Sequence, residues 1–156
     1  MKHIIQIAVI VTVALTIWLG MWFLEADQVL SVYNLIFPPA EIKMEDWVAA
    51  FKTWGSVALA VSLIAALIWY VLAQWVFKIS SWTDTRKRGV WGILVLLPVA
   101  GSVAACFLIE RTQQGAVYAY LFLALNGLLC YYIATLLTSP SAFKYTPLGA
   151  RTLRFW

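Results

Sequence analysis

Apolar residues fall in four long blocks along this chain, not in the short alternations of a strand or the narrow stripes of a water-facing helix. Residues 4–24, 54–77, 91–109 and 117–138 contain no Asp, Glu, Lys or Arg. Each block is near the roughly 20 apolar residues that a helix needs to cross the hydrocarbon of a bilayer. The pattern predicts an all-α membrane protein, a four-transmembrane-helix bundle forming one domain over residues 1–156, with a tail at 139–156. The first block follows Lys2 and so invites comparison with a cleaved signal peptide. Its apolar run is longer than the roughly 7–15 residues of such a segment. Trp18, Met21, Trp22 and Phe23 also occupy the place where a cleavage site needs small side chains. It reads as a retained anchor.

Between the first two blocks the pattern becomes helical and amphipathic. Val29, Val32, Tyr33, Ile36 and Phe37 precede the breaker Pro38-Pro39. Met44, Trp47, Val48 and Phe51 then recur at i, i+3, i+4 and i+7, with Glu41, Lys43, Glu45 and Asp46 on other faces. That is an apolar stripe on a helix running into the second block. The expectation is a helix lying flat in the outer interface, with Trp47, Val48 and Phe51 as its anchors. A docking cap for an extracytoplasmic partner, or a lid, is the alternative.

Composition agrees with lipid as the surrounding medium. Hydrophobic residues make up 63% of the chain and charged ones 12%, with a mean hydropathy of +0.86. A soluble domain is about one quarter charged. The net charge of +4 matters through its placement. With the N-terminus inside, the inner segments hold Lys2, Lys78, Arg86, Lys87, Arg88, Lys144, Arg151 and Arg154, while the outer ones hold Lys43, Lys52 and Arg111. Acidic residues mirror this: Glu25, Asp27, Glu41, Glu45, Asp46 and Glu110 fall outside, and Asp84 inside. The positive-inside bias of short loops therefore predicts N-in/C-in, in what is expected to be a bacterial inner membrane. Trp47, Trp54, Trp75, Trp82 and Trp91 fall near block ends, where indoles settle at the headgroups; Trp18 and Trp69 lie deeper and read as packing residues.

Little chemistry is on offer. An ionisable group inside a span is a functional-site hypothesis by default, because holding it there is costly, and the four interiors have none. The lone histidine, His3, sits in what reads as a loose terminus and supplies neither paired haem ligands nor a base for Ser139 or Ser141. Cys106 and Cys130 lie at different depths, too far apart for a disulfide. No phosphate-binding glycine loop, zinc-binding histidine pair or nucleophile elbow occurs. The expectation is no catalytic residue, no metal and no cofactor.

Three sets of residues remain as candidates. Asn126 and Ser102 fall at comparable depths of adjacent antiparallel spans and read as hydrogen-bonded to each other or to a neighbouring backbone, or else as a polar lining. Ala58, Ser62 and Ala66 in the second span, with Gly101 and Ala105 in the third, form small-residue rows that let helices approach closely. On the inner side, Arg86, Lys87 and Arg88 of the short loop, and Lys144, Tyr145, Arg151, Arg154 and Trp156 of the basic-aromatic tail, suit anionic headgroups or a cytoplasmic partner. Three charges on one loop neutralise too little phosphate for nucleic acid. The function expected is that of a non-catalytic membrane subunit, contacting lipids and other membrane subunits or further copies of itself. A small oligomeric channel or transporter, and a membrane immunity protein, are the alternatives.

Overall fold

The structure, a computed structural model, describes residues 2–23, 44–112 and 116–137. Helix α1 is Lys2–Trp22, α2 is Met44–Val71, α3 is Asp84–Thr112 and α4 is Ala116–Leu136. The described residues contain no strand. Three helical segments, Lys2–Trp22, Glu45–Ile79 and Asp84–Ile109, are long and apolar enough to cross a membrane, and a shorter apolar helix covers Tyr120–Leu136.

Two boundaries differ from the apolar blocks. Helix α2 begins at Met44 and runs unbroken into a π-helical turn, Leu72–Val76, and a last α turn, Phe77–Ile79. At 1.5 Å per residue this rod is about 54 Å long, well beyond the roughly 30 Å of hydrocarbon. The stripe of Trp47, Val48 and Phe51 is therefore the first part of α2, continuous with the second block as its spacing indicates, and the expectation that it lies flat in the outer interface is corrected. All three side chains are buried, at 7%, 7% and 3% exposure, in a cluster with Met21, Ala58, Ile109 and Leu123. The stripe turns inward because three neighbouring helices offer it apolar surface. Trp47 stacks on Phe51, with ring centroids 5.3 Å apart and planes 7° from parallel.

The helices alternate in direction. Met21 of α1 meets Gly55 of α2, whereas Gln6 meets Tyr70. Gly101 of α3 rests on Ala58 and Val61, whereas Lys87 reaches Phe77. Trp91 of α3 meets Thr135 of α4, and Pro98 meets Gly127. Lys2 and Leu137 consequently lie at the same end of the bundle. A second buried cluster fills that end: Ile10, Ala66, Trp69, Tyr70, Phe77, Tyr131 and Ala134 are among its members. Outward faces carry exposed apolar residues on every helix, including Ile4, Ile64, Ile93 and Leu125.

Small residues set the helix spacing. Ala58, Ser62 and Ala66 are buried on α2, and Ala105 is buried on α3. Gly127, not singled out in the sequence, sits where α2, α3 and α4 converge. A Cβ built there would lie 2.6 Å from Ser62 Oγ and 3.3 Å from Pro98 Cβ. Only a residue without a side chain fits that gap.

Candidate functional site

The polar side chains that the bundle buries gather mostly at one end, where α1 starts, α2 and α4 finish and α3 begins. The π-helical turn organises it. In a regular α-helix, residues five apart lie about 140° apart around the axis; the wider turn brings Tyr70 and Trp75 together, with ring centroids 5.9 Å apart and nearly perpendicular at 82°. Turns of this kind recur at functional sites. Here it buries Ala73, Gln74 and Phe77 while turning Trp75 and Val76 outward.

A hydrogen-bonded chain joins α1 to this turn. The Tyr70 hydroxyl donates to Gln6 Oε1 at 2.6 Å. With its one proton committed there, the same oxygen accepts from His3 Nδ1, 3.0 Å away. The His3 ring also lies 5.2 Å from the Trp75 ring. His3 is thus held in the first turn of α1, and the reading of it as part of a loose terminus is corrected. Gln6 is one turn further in and 4% exposed; an amide buried there needs a partner on the next helix.

Two further links tie the other helix ends. Gln74 Nε2 donates to the Leu137 carbonyl at 3.4 Å, and Lys78 Nζ reaches Gln74 Oε1 at 3.5 Å. Trp91 Nε1 donates to Thr135 Oγ1 at 3.1 Å, Thr135 donates to the Tyr131 carbonyl at 3.2 Å, and the Tyr131 hydroxyl returns to the Trp91 carbonyl at 3.1 Å.

The basic triplet divides. Arg86 and Arg88 are exposed, but Lys87 is only 5% exposed. Its Nζ donates to the Phe77 carbonyl at 2.9 Å and lies 5.8 Å from the Phe77 ring. A cation there satisfies a carbonyl that helix geometry leaves without a donor and opposes the negative end of the helix dipole. Lys87 is a structural clasp between α2 and α3, not part of a cationic surface. Thr83 Oγ1 meanwhile accepts the Arg86 amide at 3.4 Å, starting α3.

Asn126 and Ser102 bond to neighbouring backbone and not to each other. Ser102, 0% exposed, donates to the Pro98 carbonyl at 2.7 Å, and Asn126 Nδ2 donates to the Phe122 carbonyl at 2.8 Å. Gly127 faces the other helices, and the neighbouring Asn126 is half-buried, at the edge of the outward face that carries Leu125 and Leu129. The tail residues Lys144, Tyr145, Arg151, Arg154 and Trp156 lie outside the described residues.

Every side chain among the buried polar set, Gln6, Ser62, Gln74, Lys87, Ser102 and Thr135, has a partner within the bundle. Among the described residues, Trp69 Nε1 and Ser80 Oγ are the buried side-chain atoms without one. Cys106 and Cys130 are buried and not joined in a disulfide. No three of His, Cys, Asp or Glu come together among the described residues in a way that would hold a metal. Among the described residues, an apolar groove of about 340 Å³ opens beside Trp91, Val95 and Leu129, and another of about 240 Å³ beside Ala14, Trp18 and Leu63. No family model, no curated protein and no solved structure matches the chain.

Proposed function

We propose that this chain is a non-catalytic subunit of a larger assembly in a bacterial inner membrane, crossing the bilayer four times with both ends in the cytoplasm. The observation that carries the reading is the internal pairing of the buried polar groups. A catalytic or conducting interior presents polar atoms to a ligand or to water. Among the described residues the six buried polar side chains are spent on helix-to-helix or helix-to-own-backbone hydrogen bonds, which rigidify the bundle, and Trp69 Nε1 and Ser80 Oγ are the exceptions among buried side-chain atoms. What such a bundle presents to others is its apolar sides, its cationic inner end and its tail.

The inner end suits a headgroup-level role. Lys78, Trp82, Arg86 and Arg88 are exposed around the junction of α2 and α3, and basic residues with an indole are the groups that settle beside anionic lipid. The tail sequence after α4 contains Lys144, Tyr145, Arg151, Arg154 and Trp156 and is the segment we assign to partner capture.

The test removes residues 145–156 from the full chain. The truncated protein is expected to stay in the membrane fraction and to lose proteins that co-purify with the intact chain in mild detergent. An unchanged set of co-purifying proteins would contradict the subunit reading.

A further inference from the structure

Asn126 is ten residues from either end of α4, Ala116–Leu136, and so lies at the middle of the span. Its surroundings on that face are Leu125 and Leu129, 66% and 48% exposed, and Phe122, 36% exposed. Its amide makes one hydrogen bond, from Nδ2 to the Phe122 carbonyl of its own helix. One N–H and the Oδ1 acceptor are left over. In hydrocarbon neither finds water, and an unpaired amide there is costly.

An amide with one donor and one acceptor to spare is complementary to another copy of itself. Two such groups related by a two-fold axis form a reciprocal pair, each N–H donating to the other Oδ1. Self-complementarity of this kind defines an isologous interface, and polar side chains act in this way between membrane helices. The flanking residues fit the same arrangement. Phe122, Leu125, Asn126 and Leu129 fall at i, i+3, i+4 and i+7, one continuous face of α4. Leu125 and Leu129 also border the 340 Å³ groove between α3 and α4, which provides space for side chains arriving from outside.

We infer that the chain forms a homodimer in the membrane through the outer face of α4, with Asn126 of each copy paired across the two-fold axis. The inference rests on the membrane-crossing reading of α4 and is independent of any other partner.

The test uses the full chain in vesicles of neutral lipid at graded protein-to-lipid ratios, with association measured by energy transfer between labelled copies. Asn126→Leu, which removes the amide and keeps an apolar face, is expected to weaken association by about 30-fold, the equivalent of two interhelical hydrogen bonds of about 1 kcal/mol each. Asn126→Gln is expected to retain most of it. In a second arm Cys106 and Cys130 are replaced by Ala. Leu129→Cys, one turn from the amide, is then expected to cross-link to itself under mild oxidation, whereas Val103→Cys on the exposed face of α3 is not. A wild-type chain that stays monomeric at all ratios, equal association in Asn126→Leu, or cross-linking through Val103→Cys alone would overturn the proposal. Release of the chain from membranes by alkaline carbonate would instead count against its membrane insertion, so the two failures are distinguishable.

Discussion

A methyl group at Gly127 would meet the Ser62 hydroxyl at 2.6 Å and Pro98 Cβ at 3.3 Å. The hydroxyl donates to the Ala58 carbonyl at 2.9 Å, so moving it aside breaks that bond, and the proline ring has little freedom to give. Gly127→Ala is therefore expected to destabilise the bundle by about 1–3 kcal/mol, as overpacked cores do. Ser62→Ala removes the clashing oxygen and should recover part of the loss. The double variant is then more stable than the sum of the two single effects, a coupling read from unfolding in mixed micelles. Strict additivity would show that the two residues do not share this contact. Asn126 stood out in the sequence as a polar side chain in an apolar run, but its direction was not legible. Every residue around it is apolar, so nothing in the pattern distinguishes the packed side of α4 from the outer side. Gly127 was visible only as a glycine, and its role appears once Ser62 and Pro98 are brought against it.

At the scale of elements, the α2–α3 junction rests on a charge that sequence reasoning placed on the surface. Lys87 belongs to a run of three cations in a short loop, the usual sign of a solvated topology signal. Helical spacing within α3 instead turns one of the three toward the end of α2, where the Phe77 carbonyl accepts its ammonium group. Lys87→Met keeps the aliphatic stem and removes the charge. It is expected to cost about 1–3 kcal/mol, the range for a charge-assisted hydrogen bond at a helix end. Arg86→Met, at an exposed position, is expected to change stability by less than about 0.5 kcal/mol. Equal losses in thermal unfolding of the two variants would contradict the clasp. The π-helical turn is hidden in the sequence for a related reason. Four of the five residues in Leu72–Val76 are apolar, and a nearly uniform run has no period whose shift would betray a wider turn. The early start of α2 was half legible: the stripe at Trp47, Val48 and Phe51 announced a helix, but the sequence could not show that three other helices would cover it.

At the scale of the whole molecule, the apolar blocks and the charge asymmetry were the readable part. Long blocks became long helices because a chain with 12% charged residues has too little polar surface to enclose them in water. The alternating directions of the four helices bring Lys2, Lys78, Arg86, Lys87 and Arg88 to one end, while Glu45, Asp46 and Lys52 lie at the other. That division is the one the positive-inside bias favours for the proposed four crossings with a cytoplasmic N-terminus. Helix α4 is the shorter apolar one, covering Tyr120–Leu136, and its crossing belongs to the proposal. The most direct measurement is protease access in intact cells carrying one of two epitope tags, inserted after Pro39 or placed after Trp156. The tag after Pro39 is expected to be cleaved by protease added outside, and the tag after Trp156 to be cleaved only once the membrane is opened. External cleavage at Trp156, or protection after Pro39, would contradict four crossings with both ends inside.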